Sequence, residues 1–289
     1  MFDYILLLLS ILSNGLYNAM MKLLGRKSDA TLCDTMRINV VIYAIISIII
    51  GVAAIFSGER YSIGCFLLGI LFGGVTAMSG VFKLMAFATG EMSFTVVLVS
   101  ASMIIPALAG AIFWHEPLSV FKVAGAVIII VSSCFSTKKS GRKRERGWFA
   151  YCFSAFFFMG LVGILQKVQR STGCADSPKL FLLTAFLTAL AICLPFTFNS
   201  NRSIKNLATD LTCGKIICLL VAGGTLAFAN LVNLYLVGVL PSALLFPAQN
   251  GGSTLLSVLI AAAIFKERPD GRQKIALISS LCGLAILFI

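Results

Sequence analysis

The sequence predicts an all-α membrane protein of ten transmembrane helices, built as two inverted five-helix repeats. Three observations predict it. The chain of 289 residues is 59% hydrophobic and only 12% charged, with a mean hydropathy of +0.99. Its apolar residues gather in ten runs, each close to the ~20 residues that a helix needs to cross hydrocarbon. A basic stretch, KKSGRKRER at Lys138–Arg146, divides the chain near its middle, with similar motifs on either side.

The composition excludes an ordinary soluble domain, which is nearer half apolar and a quarter charged. So large an apolar excess has no place in one core, because a dissolved protein needs polar surface. The net charge of +12 would suggest nucleic acid in a soluble chain. In a membrane chain it reads as Lys and Arg retained on the inner side, so no nucleic-acid partner is expected. Nine cysteines and a single histidine, His115, form no CxxC pair. Neither a metal site nor a disulfide is expected, and no cofactor. The N-terminus, MFDYILLLLS, lacks a basic leader region and reads as the start of the first span.

Taken in order, the predicted spans are roughly 3–24, 35–56, 62–82, 93–113, 119–136, 148–170, 178–197, 214–236, 242–264 and 272–289. Turn and cap residues separate them, as in SGER, ATGE, WHEPLS and KERPDG. Trp114 and Trp148 fall at span ends, where an indole favours the headgroup layer. Residues 1–137 form the first repeat, 138–147 a basic cytoplasmic connector, and 148–289 the second repeat. Lys and Arg number 18 in or beside the connectors after odd-numbered spans, against 5 in the others. That bias places both termini outside and the 138–146 loop in the cytoplasm.

The two halves carry matching motifs. Gly15-Leu16 precedes Lys22, and Gly160-Leu161 precedes Lys167 at the same spacing. Ile112-Phe113-Trp114-His115-Glu116-Pro117 is echoed by Ile264-Phe265-Lys266-Glu267-Arg268-Pro269. Five spans is an odd number, so the second copy inserts upside down. Two such copies can exchange conformations around a central site, a physical route to alternating access.

NGLYNAMMKLL in span 1, FWHEPL and FKERP at the ends of spans 4 and 9, and the 5+5 layout together resemble the drug/metabolite transporter superfamily, EamA type. The resemblance covers nearly the whole chain. It implies ten helices, a cavity lined by spans 1, 3, 4, 6, 8 and 9, and movement of small organic solutes, export being the commoner direction. Spans 5 and 10 would scaffold or contact neighbours, and the layout suggests a bacterial cytoplasmic membrane. This chain departs from the small multidrug relatives in one respect: span 1 has no embedded glutamate.

The residues themselves name a pathway. All eleven acidic residues lie in or beside connectors, which argues against a buried carboxylate that captures cations or shuttles protons. The polar positions at depth are uncharged. Asn14, Tyr17 and Asn18 share a broad face of span 1; Asn230, Asn233 and Tyr235 cluster in span 8. Pro247 precedes Gln249, Asn250, Gly251, Gly252 and Ser253 in span 9, a predicted bend lined by amides. Ser100 and Ser102 lie close to Pro106 in span 4. The serines can equally tie helices together, and the tyrosines can simply pack. Lys22, Lys83 and Lys167 read as snorkelling residues or as gates at a mouth. Glu116 and Glu267 read as structural acids at helix starts. A charge-poor, amide-lined cavity suits a neutral or zwitterionic metabolite. Alternatives are a lipid or lipid-linked flippase and an organic-cation transporter with an aromatic cage. An intramembrane enzyme lacks a nucleophile–base or metal set at depth. The expected partners are the solute and the bilayer, with the chain working as a monomer or a homodimer.

Overall fold

The computed structural model describes residues 2–24, 32–60, 62–89, 99, 101–136, 147–198, 213–265 and 271–287. Among these the chain forms helices α1 (Phe2–Leu24), α2 (Leu32–Ile55), α3 (Ile63–Thr89), α4 (Ile104–Phe113), α5 (Val120–Ser136), α6 (Trp148–Ser171), α7 (Pro178–Phe198), α8 (Cys213–Val239), α9 (Ser242–Phe265) and α10 (Gly271–Leu287). Stretches within α1, α2, α3, α6, α7 and α8 are long and apolar enough to cross a membrane, and Ile104–Phe113, Val120–Ser132 and Lys274–Leu287 are shorter apolar helices. The basic connector 138–146 and Glu267 lie outside the described residues.

Burial follows what a bilayer demands. Ile48, Val52, Ile55, Phe56, Leu67, Ile112 and Phe113 are exposed, an apolar surface that water would not tolerate. In hydrocarbon the helix satisfies its own backbone, so only the side chains need an apolar solvent. Trp148 is the first residue of α6, at a span end as expected; only 4% exposed, it packs with Ala86 and Cys152.

Close approach is made by small residues. A Cβ on Gly69 or Gly73 of α3 would strike Thr184, Ala185 or Thr188 of α7, so these backbones nearly touch. Gly15 of α1 lies against Leu256 of α9, and Gly160 of α6 against Ile105 of α4. Gly125 of α5 meets Gly283 of α10, and Ser132 hydrogen-bonds Ser280 farther along. As one residue number rises the other falls, so α5 and α10 run antiparallel. The large core joins α2, α3, α7 and α8 around Phe72, Phe181 and Ile46; a second joins α1, α8 and α9 around Leu7, Leu236 and Leu245.

Pro247 lies in the second turn of α9, and the helix continues through it to Phe265. With no N–H to give the Ala243 carbonyl, Pro247 leaves one i→i−4 hydrogen bond of that turn unmade.

Candidate functional site

Three helices converge on one polar knot. From α1, Ser10 is wholly buried, and Asn14, one turn on, donates its Nδ2 to the Ser10 carbonyl at 3.0 Å. From α9, the Gln249 side-chain amide donates to Ser10 Oγ at 3.0 Å and to Asn233 Oδ1 of α8. Gln249 is itself only 6% exposed. The knot exists because glycine lets α1 and α9 close on each other: Gly252 receives Ile11, and Gly15 receives Leu256. An amide carries two donors and two acceptor lone pairs. In an apolar interior each unmet one is costly, so a polar knot at depth has either partners or a guest.

The structure thus brings together Asn14, Asn233 and Gln249 of the expected residues. Ser10, missed in the sequence, is the hub; it lies four residues before Asn14 on the same helical face, the one signal that could have found it. The others lie apart. Asn230 turns its amide to the Leu226 carbonyl of its own helix at 2.9 Å. Tyr235 is exposed and donates to Asp3 Oδ1 at 3.1 Å, tying α8 to the start of α1. Tyr17 packs against the core of α2, α3, α7 and α8. Asn18 is exposed although it lies one turn from half-buried Asn14. Asn250 is half-buried, and Ser253 donates to its carbonyl at 3.2 Å. Ser102 is buried in the turn before α4. Lys83 is partly buried in α3. Ser100 and the side chain of Lys22 lie outside the described residues.

A second polar group sits at the end where α9 begins. His115 adopts φ 52°, a left-handed turn that ends α4 and sends the Glu116 N–H back to the Gly110 carbonyl at 3.1 Å. The Glu116 carboxylate then accepts the Ser242 N–H of α9 at 2.6 Å and pairs with Lys167 of α6. Lys167 Nζ also donates to the Val237 carbonyl of α8 at 2.8 Å. A carboxylate at a helix start meets free N–H groups and the positive end of the dipole. Glu116 does this for α9, a helix of the other half, whereas α5, which follows it, starts with the Phe121 N–H on Ser119 Oγ. Lys167, expected at a mouth, is held in this group with only 13% of its side chain exposed.

Among the described residues no group of three or more His, Cys, Asp or Glu could hold a metal ion.

No protein-family profile matches the chain. A protein of Haemophilus influenzae (strain Rd), described only as uncharacterized, is 26% identical over 195 residues, which are 65% of this chain and 63% of that relative. The match therefore spans somewhat under two thirds of the relative's length. A crystal structure described only as that of a protein is 15% identical, with a TM-score of 0.77 over 97% of this chain and 95% of the other. That likeness is one of fold.

Proposed function

We propose that this chain is a solute transporter of the drug/metabolite transporter superfamily, EamA type, with ten spans in two inverted repeats. It moves a small neutral or zwitterionic metabolite by alternating access, in the direction of export, and carries out no chemical step. It sits in a bacterial cytoplasmic membrane with both termini outside.

The observation that carries the reading is the knot of Ser10, Asn14, Asn233 and Gln249. It is uncharged, it lies in the interior, and three helices of two different halves supply it. An interface between repeats is where transporters of this build place their solute. The packing supports the repeat itself. Adding five to one helix number and taking five from the other maps the α1–α8 contact onto α6–α3, α1–α9 onto α6–α4, and α2–α8 onto α7–α3. Gly15 on Leu256 and Gly160 on Ile105 are equivalent contacts to within one residue. The antiparallel pairing of α5 with α10 is what an in-plane two-fold axis requires of helices that meet their own copies.

The test is a thermal-shift screen of the purified protein against neutral and zwitterionic metabolites, because a bound solute stabilises the folded state. Flux of each hit is then measured in proteoliposomes. A solute that stabilises the protein and crosses the membrane is expected. Stabilisation only by lipids, with lipid scrambling in place of solute flux, would replace the reading with a flippase.

A further inference from the structure

We propose that Glu116, Lys167 and the start of α9 form one gate of the transport cycle, a latch that seals the passage to the amide knot and separates when that passage opens. The proposal rests on the transport reading above. Four segments meet at this point: the turn after α4 through Glu116, α6 through Lys167, α8 through the Val237 carbonyl and α9 through the Ser242 N–H. The first belongs to one half of the chain and the other three to the other half.

The latch stands directly over the knot. Val237 is one turn beyond Asn233 on α8, and Ser242 is seven residues before Gln249 on α9. At about 1.5 Å per residue, the latch lies roughly 6–10 Å above the bonded amides. At this end the Glu116–Lys167 pair ties α8, through the Val237 carbonyl, and α9, through the Ser242 N–H, to the turn after α4. The two side chains are only 13% and 12% exposed. An enclosed ion pair is stable when closed and dry, or separated and wet, and costly in between, which makes it a two-state element. Gly110 belongs to the device, since a Cβ there would come within 2.5 Å of Glu116 Oε2 and 2.9 Å of Ser242 Cβ.

Glu59 offers a contrast. It holds the start of α7 by accepting the Lys179 and Leu180 N–H groups at 3.0 and 3.1 Å, and it pairs with Lys179 at 3.3 Å. None of these residues adjoins the knot along its helix, so Glu59 is a strut.

The experiment places a reporter thiol at the knot, Asn14→Cys, in the full-length protein in sealed vesicles. A membrane-impermeant maleimide is added to each face in turn, and labelling of the chain without the reporter is subtracted. Glu116→Gln, Lys167→Met and Gly110→Ala are each expected to speed labelling from the latch side by about tenfold, the size of a modest population shift. Glu59→Gln is expected to leave it unchanged. Unaltered labelling in all three variants, with each protein still folded by size-exclusion and thermal melting, would overturn the gate. So would equal acceleration by Glu59→Gln, which would mean general loosening. Labelling needs no solute, so a failed flux screen leaves this test standing, and a static latch leaves the amide site standing.

Discussion

At the scale of single residues, the informative distinction is between an amide that bonds within its own helix and one that bonds across helices. Asn230 and Gln249 both carry side-chain amides in apolar helices. Among the described residues Asn230 bonds only its own backbone, at Leu226, while Gln249 links α9 to Ser10 of α1 and Asn233 of α8. Gln249→Leu keeps the volume and removes the linkage. Interhelical hydrogen bonds in membranes average only about 0.6 kcal/mol, so the melting temperature is expected to change little. Solute affinity, read by titrating the thermal shift, is expected to fall about tenfold, the ~1.4 kcal/mol of a hydrogen bond lost in a buried site. Asn230→Leu should change neither. Equal loss from both variants would remove the knot as the binding site. The sequence marked Asn14, Asn233 and Gln249 by residue type and depth. It could not separate them from Asn230 and Asn18, because which neighbour faces an amide is decided by helices distant in the chain.

At the scale of elements, small residues decide how closely helices pack. In α3, Gly73 abuts the backbone carbonyl of Ala185 in α7, whereas Gly224 of α8 has, among the described residues, no atom of another helix within 4 Å of where a Cβ would stand. Gly73→Ala must therefore push α3 and α7 away from each other, at a cost of about 1–3 kcal/mol. Gly224→Ala is expected to be neutral, or to stabilise by about 0.5–1 kcal/mol, because alanine is the better helix former. Thermal unfolding in detergent checks both, and similar melting temperatures for the two variants would contradict the packing account. His115 is a third case, a residue with a Cβ held at φ 52°. His115→Gly should relieve roughly 1–2 kcal/mol of strain in that turn, and it leaves the Glu116 carboxylate free to reach Ser242. The boundaries of α1, α6 and α8 followed from apolar length and turn residues. The sequence also marked Glu116 as an acid at a helix start, but the start it serves belongs to α9, which lies 126 residues away.

For the whole molecule, the proposed inversion carries a topological consequence. An odd number of spans in each half sends the connector at 138–147 to the face opposite both termini. Reporter enzymes fused at residue 142 and at each end are expected to read cytoplasm for the first and the outer face for the other two. A cytoplasmic reading at either terminus would break the five-plus-five arrangement. The latch and the knot depend on that arrangement, since each draws residues from both halves.

By itself the sequence determined the solvent. Runs of apolar residues near the thickness of a bilayer, broken by charged turns, leave the chain no other place to bury them. It also determined that polar groups at depth would be mostly amides and hydroxyls, since the carboxylates stand in or beside the connectors. The tertiary structure decided which of those groups meet. Hydrophobic patterning fixes that a helix spans but says little about its rotation, because lipid and protein are both apolar. Rotation is settled by where glycine lets another helix approach, as at Gly15, Gly110 and Gly252. Those contacts put Ser10 against Gln249 and Glu116 against Ser242, pairings that no local stretch of the chain could specify.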